Sequence, residues 1–163
     1  MRTDTLYHIV HHNLTDHQDQ WLEEDTPIFV HPKDPFKRVD IVSSSRPLKV
    51  EIDGHTIASA PTSMHLYETG LPVRYYLPLT SIDVSKLKRS DTKSQCPYKG
   101  EAEYYQVVIE GKEYSDIVWY YDRPTVECAA VTGLCCFYNE KVDVSIMEGG
   151  QWKKLKRPKT HFA

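Results

Sequence analysis

The chain has 163 residues, a mass of 18.9 kDa and a formal net charge of −3, which is enough for one domain with modest extensions. Its 40% hydrophobic content excludes a disordered chain, and no stretch approaches the ~20 apolar residues of a bilayer-spanning helix. The near-neutral balance argues against broad electrostatic binding to nucleic acid, and neither nucleic acid nor membrane is expected as a partner.

Residues 1–36 are acidic and hold five of the eight histidines. Pro27, Pro32 and Pro35 interrupt them, and a short helix is predicted over Asp16–Glu24. His8, His11 and His12 have the spacing that places imidazoles on one helix face, and His17 is close by. Metal binding and solvated histidines on an arm are the two readings, and the weak helical pattern favours the second. The opening MRTDTLYHIVHHN lacks the apolar core of a secretory signal. A cytoplasmic location with reduced thiols is therefore expected.

From Arg38 onward, short β-branched and aromatic runs alternate with turn residues. Leu48–Ile52 and His55–Ala58 read as a hairpin through Asp53-Gly54. Tyr104–Ile109 turns at Glu110-Gly111 into Lys112–Tyr114, and Ile117–Tyr121 reads as a further strand. Thr125–Leu134, opened by Pro124 and closed near Gly133, is predicted as one short helix. A last pair is expected from Cys135–Tyr138 and Lys141–Ile146, with a turn at Asn139-Glu140. Residues 37–150 are thus read as a mainly β core domain between a polar arm (1–36) and a basic tail (151–163) that carries five bases and no acid. Those arms are read as solvated, or as meeting each other or an anionic partner.

Tyrosine is the compositional oddity: 11 residues against 4 Phe, ten of them between Tyr67 and Tyr138. Three doublets, Tyr75-Tyr76, Tyr104-Tyr105 and Tyr120-Tyr121, fall in predicted strands. Successive strand residues point to opposite faces, so each doublet should send one ring to the core and one to the other face. Trp119 should share the face of Tyr121. Either tyrosine is simply a good strand former here, or one face lines a ligand cleft.

Four segments carry a resemblance. They are Glu68-Thr69-Gly70-Leu71-Pro72-Val73-Arg74-Tyr75-Tyr76, then Cys96-Pro97-Tyr98-Lys99-Gly100-Glu101, then Val118-Trp119-Tyr120-Tyr121, then Phe137-Tyr138-Asn139-Glu140-Lys141-Val142-Asp143-Val144. Together they resemble the domain-of-unknown-function family numbered 427, sometimes labelled nucleotidyltransferase-like. The stretch His31–Arg38 is similar to the lead-in of fungal members. The resemblance implies a β-tent fold: two small antiparallel sheets leaning together, akin to small zinc-bearing domains. The nucleotidyltransferase label finds no support in the residues. There is no Gly-Ser followed by an Asp-x-Asp strand and no phosphate-cradling glycine loop. Zinc is not expected either, because Cys96 is followed three residues later by Lys99 rather than by a second thiol. No cofactor is expected.

The motif residues with chemistry to offer are Glu68 as general base, Cys96 as a nucleophile beside Lys99, and Tyr138. Arg74 and Lys99 are candidate anchors for an anionic group, and Tyr76, Tyr98, Tyr104, Trp119 and Tyr121 candidate walls. Each also has a plain structural explanation. Glu68 and Arg74 are as well explained by pairing with each other, Lys99 by a turn before Gly100, and Trp119 by a place in the core. Cys128, Cys135 and Cys136 read as small core residues, and His65, the nearest candidate base for Cys96, as an ordinary surface residue. Two functions fit. One is a metal-independent enzyme that binds an organic, anionic substrate in a Tyr/Trp-lined cleft and moves protons, as in isomerisation, dehydration or cyclisation. The other is a non-catalytic ligand-binding or interaction module with the same pocket, and a homodimer is compatible with either.

Overall fold

The computed structural model describes residues 9–13, 19–23, 26–28, 31 and 33–159. Within them the chain is mainly β and holds no helix long and apolar enough to cross a membrane. A first antiparallel sheet joins β1 (Ile9–Asn13), β2 (Asp19–Glu23) and β3 (Thr26–Ile28). The helix predicted over 16–24 is therefore not formed at Asp19–Glu23. Too short to be stable alone and without a 3.6-residue apolar period, the segment takes its backbone hydrogen bonds from β1 and β3 instead. His11 and His12 lie in extended β1, so the helical spacing of the metal reading is absent there; His8 and His17 fall outside the described residues.

Two larger antiparallel sheets form the body. The first runs in the order β4 (Val39–Ser44), β7 (Ser63–Glu68), β8 (Arg74–Leu77), β12 (Cys135–Phe137), β11 (Lys112–Tyr120), β10 (Gly100–Ile109) and β9 (Leu87–Cys96). The second runs in the order β14 (Gln151–Lys154), β13 (Asp143–Glu148), β5 (Leu48–Ile52) and β6 (His55–Ala60). The expected two-residue turns form: Asp53-Gly54 and Glu110-Gly111 both have positive φ at both positions, as a type I′ hairpin requires. Lys112–Tyr114 and Ile117–Tyr121 are not separate strands. They are one strand, β11, interrupted where Asp116 adopts positive φ and the register with β10 shifts.

Three further expectations are corrected. The helix over 125–134 is a 3-10 segment, Val126–Val131, since a single Pro-to-Gly span this short gains little from i→i−4 bonding. Cys135–Tyr138 and Lys141–Ile146 do not pair: β12 sits between β8 and β11, whereas β13 crosses to the other sheet beside β5. The basic stretch after residue 150 is not wholly a solvated arm. β14 pairs with β13, and Lys154 and Arg157 both reach Asp143, at 2.8 and 2.9 Å.

The main core lies between the two body sheets. Leu48, Val50 and Ile52 alternate inward from β5 to meet Val107, Ile109, Val118 and Phe137. A second core covers the opposite face of the seven-stranded sheet, with Leu66, Tyr76, Ala102, Trp119 and Cys136 beneath Cys128 and Val131 of the 3-10 segment. The tyrosine doublets divide as the period of two demands. Tyr75, Tyr105 and Tyr120 join the first core, Tyr76, Tyr104 and Tyr121 the second, and Trp119 shares the face of Tyr121.

Gly100 packs closely against neighbouring backbone on this second face. It bridges to Pro124, its φ is +103°, and a Cβ there would meet the Arg123 carbonyl oxygen at 3.2 Å. Gly100→Ala is expected to cost about 1–3 kcal/mol through strain. That lowers Tm by about 2–4 °C per kcal/mol. Calorimetry showing an unchanged Tm would contradict this packing.

Candidate functional site

On the second face the covering segments leave a cavity of about 370 Å³. It exists because the 3-10 segment and the 96–99 turn cover the sheet only in part, whereas a second sheet fills the other face. Adjacent strands supply its walls: Tyr76 from β8, Tyr104 from β10 and Trp119 from β11, with Tyr121 and Tyr138 one residue past β11 and β12. Glu68 ends β7, Arg74 begins β8, and the turn brings Cys96, Tyr98 and Lys99. All ten residues singled out in the sequence thus border one cavity.

The rings are fixed against one another. Trp119 and Tyr138 lie 4.5 Å apart between centroids, and Tyr76 meets Trp119 edge-on at 6.3 Å. Most phenols are tied down. Tyr76 Oη accepts from Trp119 Nε1 (3.2 Å), Tyr98 Oη accepts from the Asp34 amide (2.8 Å), and Tyr104 Oη shares a hydrogen bond with Ser94 Oγ (2.7 Å).

The charges pair differently from the expectation. Glu68 and Arg74 do not bond each other, because the turn between β7 and β8 leaves each facing a different segment. The Lys99 ammonium donates to Glu68 Oε2 at 2.5 Å, and Lys37 Nζ stands 3.6 Å from Oε1. Glu68 and Lys99 side chains are 4% and 12% exposed, so this pair is largely screened from water. Arg74 instead makes a bidentate pair with Glu140, two contacts of 2.6 Å, and also donates to Asn139 Oδ1. Its guanidinium lies 5.4 Å from the Trp119 ring centroid. Arg74 therefore borders the cavity with its fork already engaged.

His65 is no surface residue. It is 2% exposed, shares a hydrogen bond with Ser63 Oγ (3.0 Å) and packs edge-on to Tyr75. Its strand neighbours Met64 and Leu66 belong to the second core, so His65 faces the other way and does not line the cavity. Burial and the Arg46 charge hold its imidazole below the usual histidine range. Cys128, Cys135 and Cys136 are buried core thiols as expected, Cys96 is half-buried at the cavity, and all four are free.

Sequence reasoning passed over Lys37 and His31, which line the cavity from the 31–38 lead-in, and Glu140 and Asn139, which hold Arg74. Asn139-Glu140 stands inside a quoted motif, and a single buried arginine in need of a carboxylate was the signal available.

Zinc, which the β-tent resemblance brings to mind, does not fit these residues. The facing segments offer Cys96 and Lys99 on one side and Thr125 and Cys128 on the other at the same spacing. The Thr125 amide donates to the Lys99 carbonyl (3.0 Å), and the Thr125 hydroxyl to the Tyr98 carbonyl (2.6 Å). Two thiols, an ammonium bound to Glu68 and an engaged hydroxyl are not a zinc donor set. No group of three or more His, Cys, Asp or Glu among the described residues is disposed to hold a metal.

The profile of a family described as a domain of unknown function, DUF427, matches residues 40–148. The chain belongs to this family. No curated protein matches the chain. All ten site residues lie within the matched DUF427 segment, whereas Lys37 and His31 precede it.

Burial also sets the protonation states of the DUF427 core. It pushes the Cys135 thiol up to about 12 and raises Cys136, Tyr76, Tyr121 and Tyr138. Burial works against the Lys99 charge, but the Cys96 sulfur and the Glu68 carboxylate outweigh it and hold the ammonium above the ordinary lysine range. All these groups keep their protons more tightly folded than unfolded. Their contribution to stability is whole below the ordinary values of 9.0 for Cys, 10.0 for Tyr and 10.5 for Lys, and is lost as pH rises through them. The urea midpoint should therefore hold steady through neutral pH and fall above about pH 9. A midpoint that stays level to pH 11 would contradict the protonated, buried cluster.

Proposed function

We propose that this DUF427 domain binds a small organic, anionic molecule in the cavity and catalyses proton transfer on it. The observation that supports this best is the Glu68–Lys99 ion pair set into the wall of an aromatic cavity. A carboxylate held at 2.5 Å from an ammonium is oriented for use as a base, and desolvation strengthens what it does there. The phenols of Tyr76, Tyr121 and Tyr138, kept protonated by burial, supply hydrogen-bond donors and acids. Lys37 and Lys99 supply the positive field for the anionic group, in place of Arg74, whose charge Glu140 already balances. Trp119, Tyr104 and Tyr98 act as walls, and Cys96 as a half-buried neighbour of Lys99. Isomerisation, dehydration and cyclisation are the reaction classes that need only such acid–base groups. Four free thiols support a reducing, cytoplasmic setting.

The second reading, a non-catalytic binding module, draws on Arg74. Its bidentate pair with Glu140 stiffens the aromatic wall without reaching for a ligand. The two readings part on Glu68. In a ligand-observed NMR screen of aromatic acids, hits are expected to compete for one site and to lose at least about tenfold in affinity in Trp119→Ala, as for removal of a buried aromatic anchor. Hits indifferent to Trp119→Ala would place binding elsewhere. For a hit that is turned over, Glu68→Gln should lower kcat by about 10²–10⁴ with binding retained, the usual share of a general base. An unchanged kcat removes Glu68 as the base, and hits that bind through Trp119 but are never turned over leave the binding module as the function.

A further inference from the structure

Tyr121 lines the cavity, and its hydroxyl has no hydrogen-bond partner among the described residues, whereas those of Tyr76, Tyr98 and Tyr104 are engaged. Its side chain is 4% exposed, yet it borders the cavity. The hydroxyl is not sealed off from the cavity, so it is free to bond to whatever occupies that space. The space in front of Tyr121 is the cavity itself. Lys99 is in a similar position: its ammonium carries three N–H groups, and Glu68 is its one hydrogen-bond acceptor among the described residues. Cys96, Lys99 and Tyr121 all line this one cavity.

From these positions we infer that Tyr121 is the donor that seats a ligand oxygen, and that the ligand presents a carbonyl or carboxylate oxygen to Tyr121 and Lys99. This inference rests on the cavity being a ligand site and specifies the ligand group that site takes. The tyrosine is suited to donate because burial, with Cys96 and Tyr104 nearby, keeps its phenol protonated far above neutral pH. Two donors lining one cavity favour an acceptor-only oxygen, such as a carbonyl or carboxylate, over a hydroxyl or an amine, which bring donors of their own. The aromatic walls favour a flat body attached to that oxygen.

Three probes of one shape test this: acetophenone, benzoate and ethylbenzene, each titrated by ligand-observed NMR into the wild type, Tyr121→Phe and Lys99→Met. The expected result is binding of the two oxygen-bearing probes, and a loss of about 3–10-fold in Tyr121→Phe that ethylbenzene does not share. A larger loss for benzoate than for acetophenone in Lys99→Met identifies a carboxylate as the ligand group, and equal losses identify a carbonyl. Tyr121→Phe keeps the ring and its packing, so a folded variant is expected, checked by unchanged thermal melting. If all three probes bind the wild type and Tyr121→Phe alike, the donor role is overturned while the ligand site stands. If none binds, both fall.

Discussion

A sheet buried on both faces has nowhere to put a polar side chain except in pairs, and this constraint shapes the second face of the DUF427 domain. The first face is closed by another sheet, whose alternating Leu48, Val50 and Ile52 interlock with strands β10, β11 and β12. The second is closed by irregular chain: the 3-10 segment, the 96–99 turn and, before β4, His31 and Lys37. Irregular segments cover without filling, and the remaining space is the cavity. The charged groups that enter it are held in ion pairs, two lysines sharing one carboxylate. Lys99 and Lys37 meet Glu68, and Arg74 meets Glu140. A buried ion pair contributes little net stability, whereas removing one partner leaves a costly lone charge. These pairs therefore act more on the position of the segments than on the stability of the fold.

The Glu68–Lys99 contact has the longest reach. It ties the end of β7 to the turn before β10, and through Lys37 to the lead-in that precedes the family segment. The turn is in turn fixed by Gly100, whose backbone lies against Arg123 and Pro124, and by Thr125, which bonds two of its carbonyls. The shape of this wall therefore depends on backbone geometry that favours glycine at position 100.

Much of this was legible in the sequence because it depends on a period of two. The doublets at 75–76, 104–105 and 120–121 could only divide between faces, and once the strands were placed, the rings on one face followed. The hairpins at Asp53-Gly54 and Glu110-Gly111 were legible for the same local reason, since their turn type demands those residues. What escaped has no local signature. β9 reads LKRSDTKSQC, a polar run without apolar alternation, because an edge strand needs charge to repel pairing with other chains. The pairing of Arg74 with Glu140 spans 66 residues, and Lys37 with Glu68 joins segments that only the fold brings together. Sequence order suggests β13 as the partner of β12, yet β13 lies beside β5. Their side chains alternate equally well in either sheet, so only tertiary packing decides.

Lys99 is a buried ammonium bound to Glu68 at the cavity wall, and the proposed ligand site is built around this pair. ¹⁵Nζ-detected lysine NMR tests it most directly. Lys99 is expected to give a slowly exchanging ammonium signal at neutral pH, one that shifts when a cavity ligand is added and collapses into fast exchange in Glu68→Gln. A Lys99 signal averaged with the surface lysines, and unmoved by Glu68→Gln, would contradict the account.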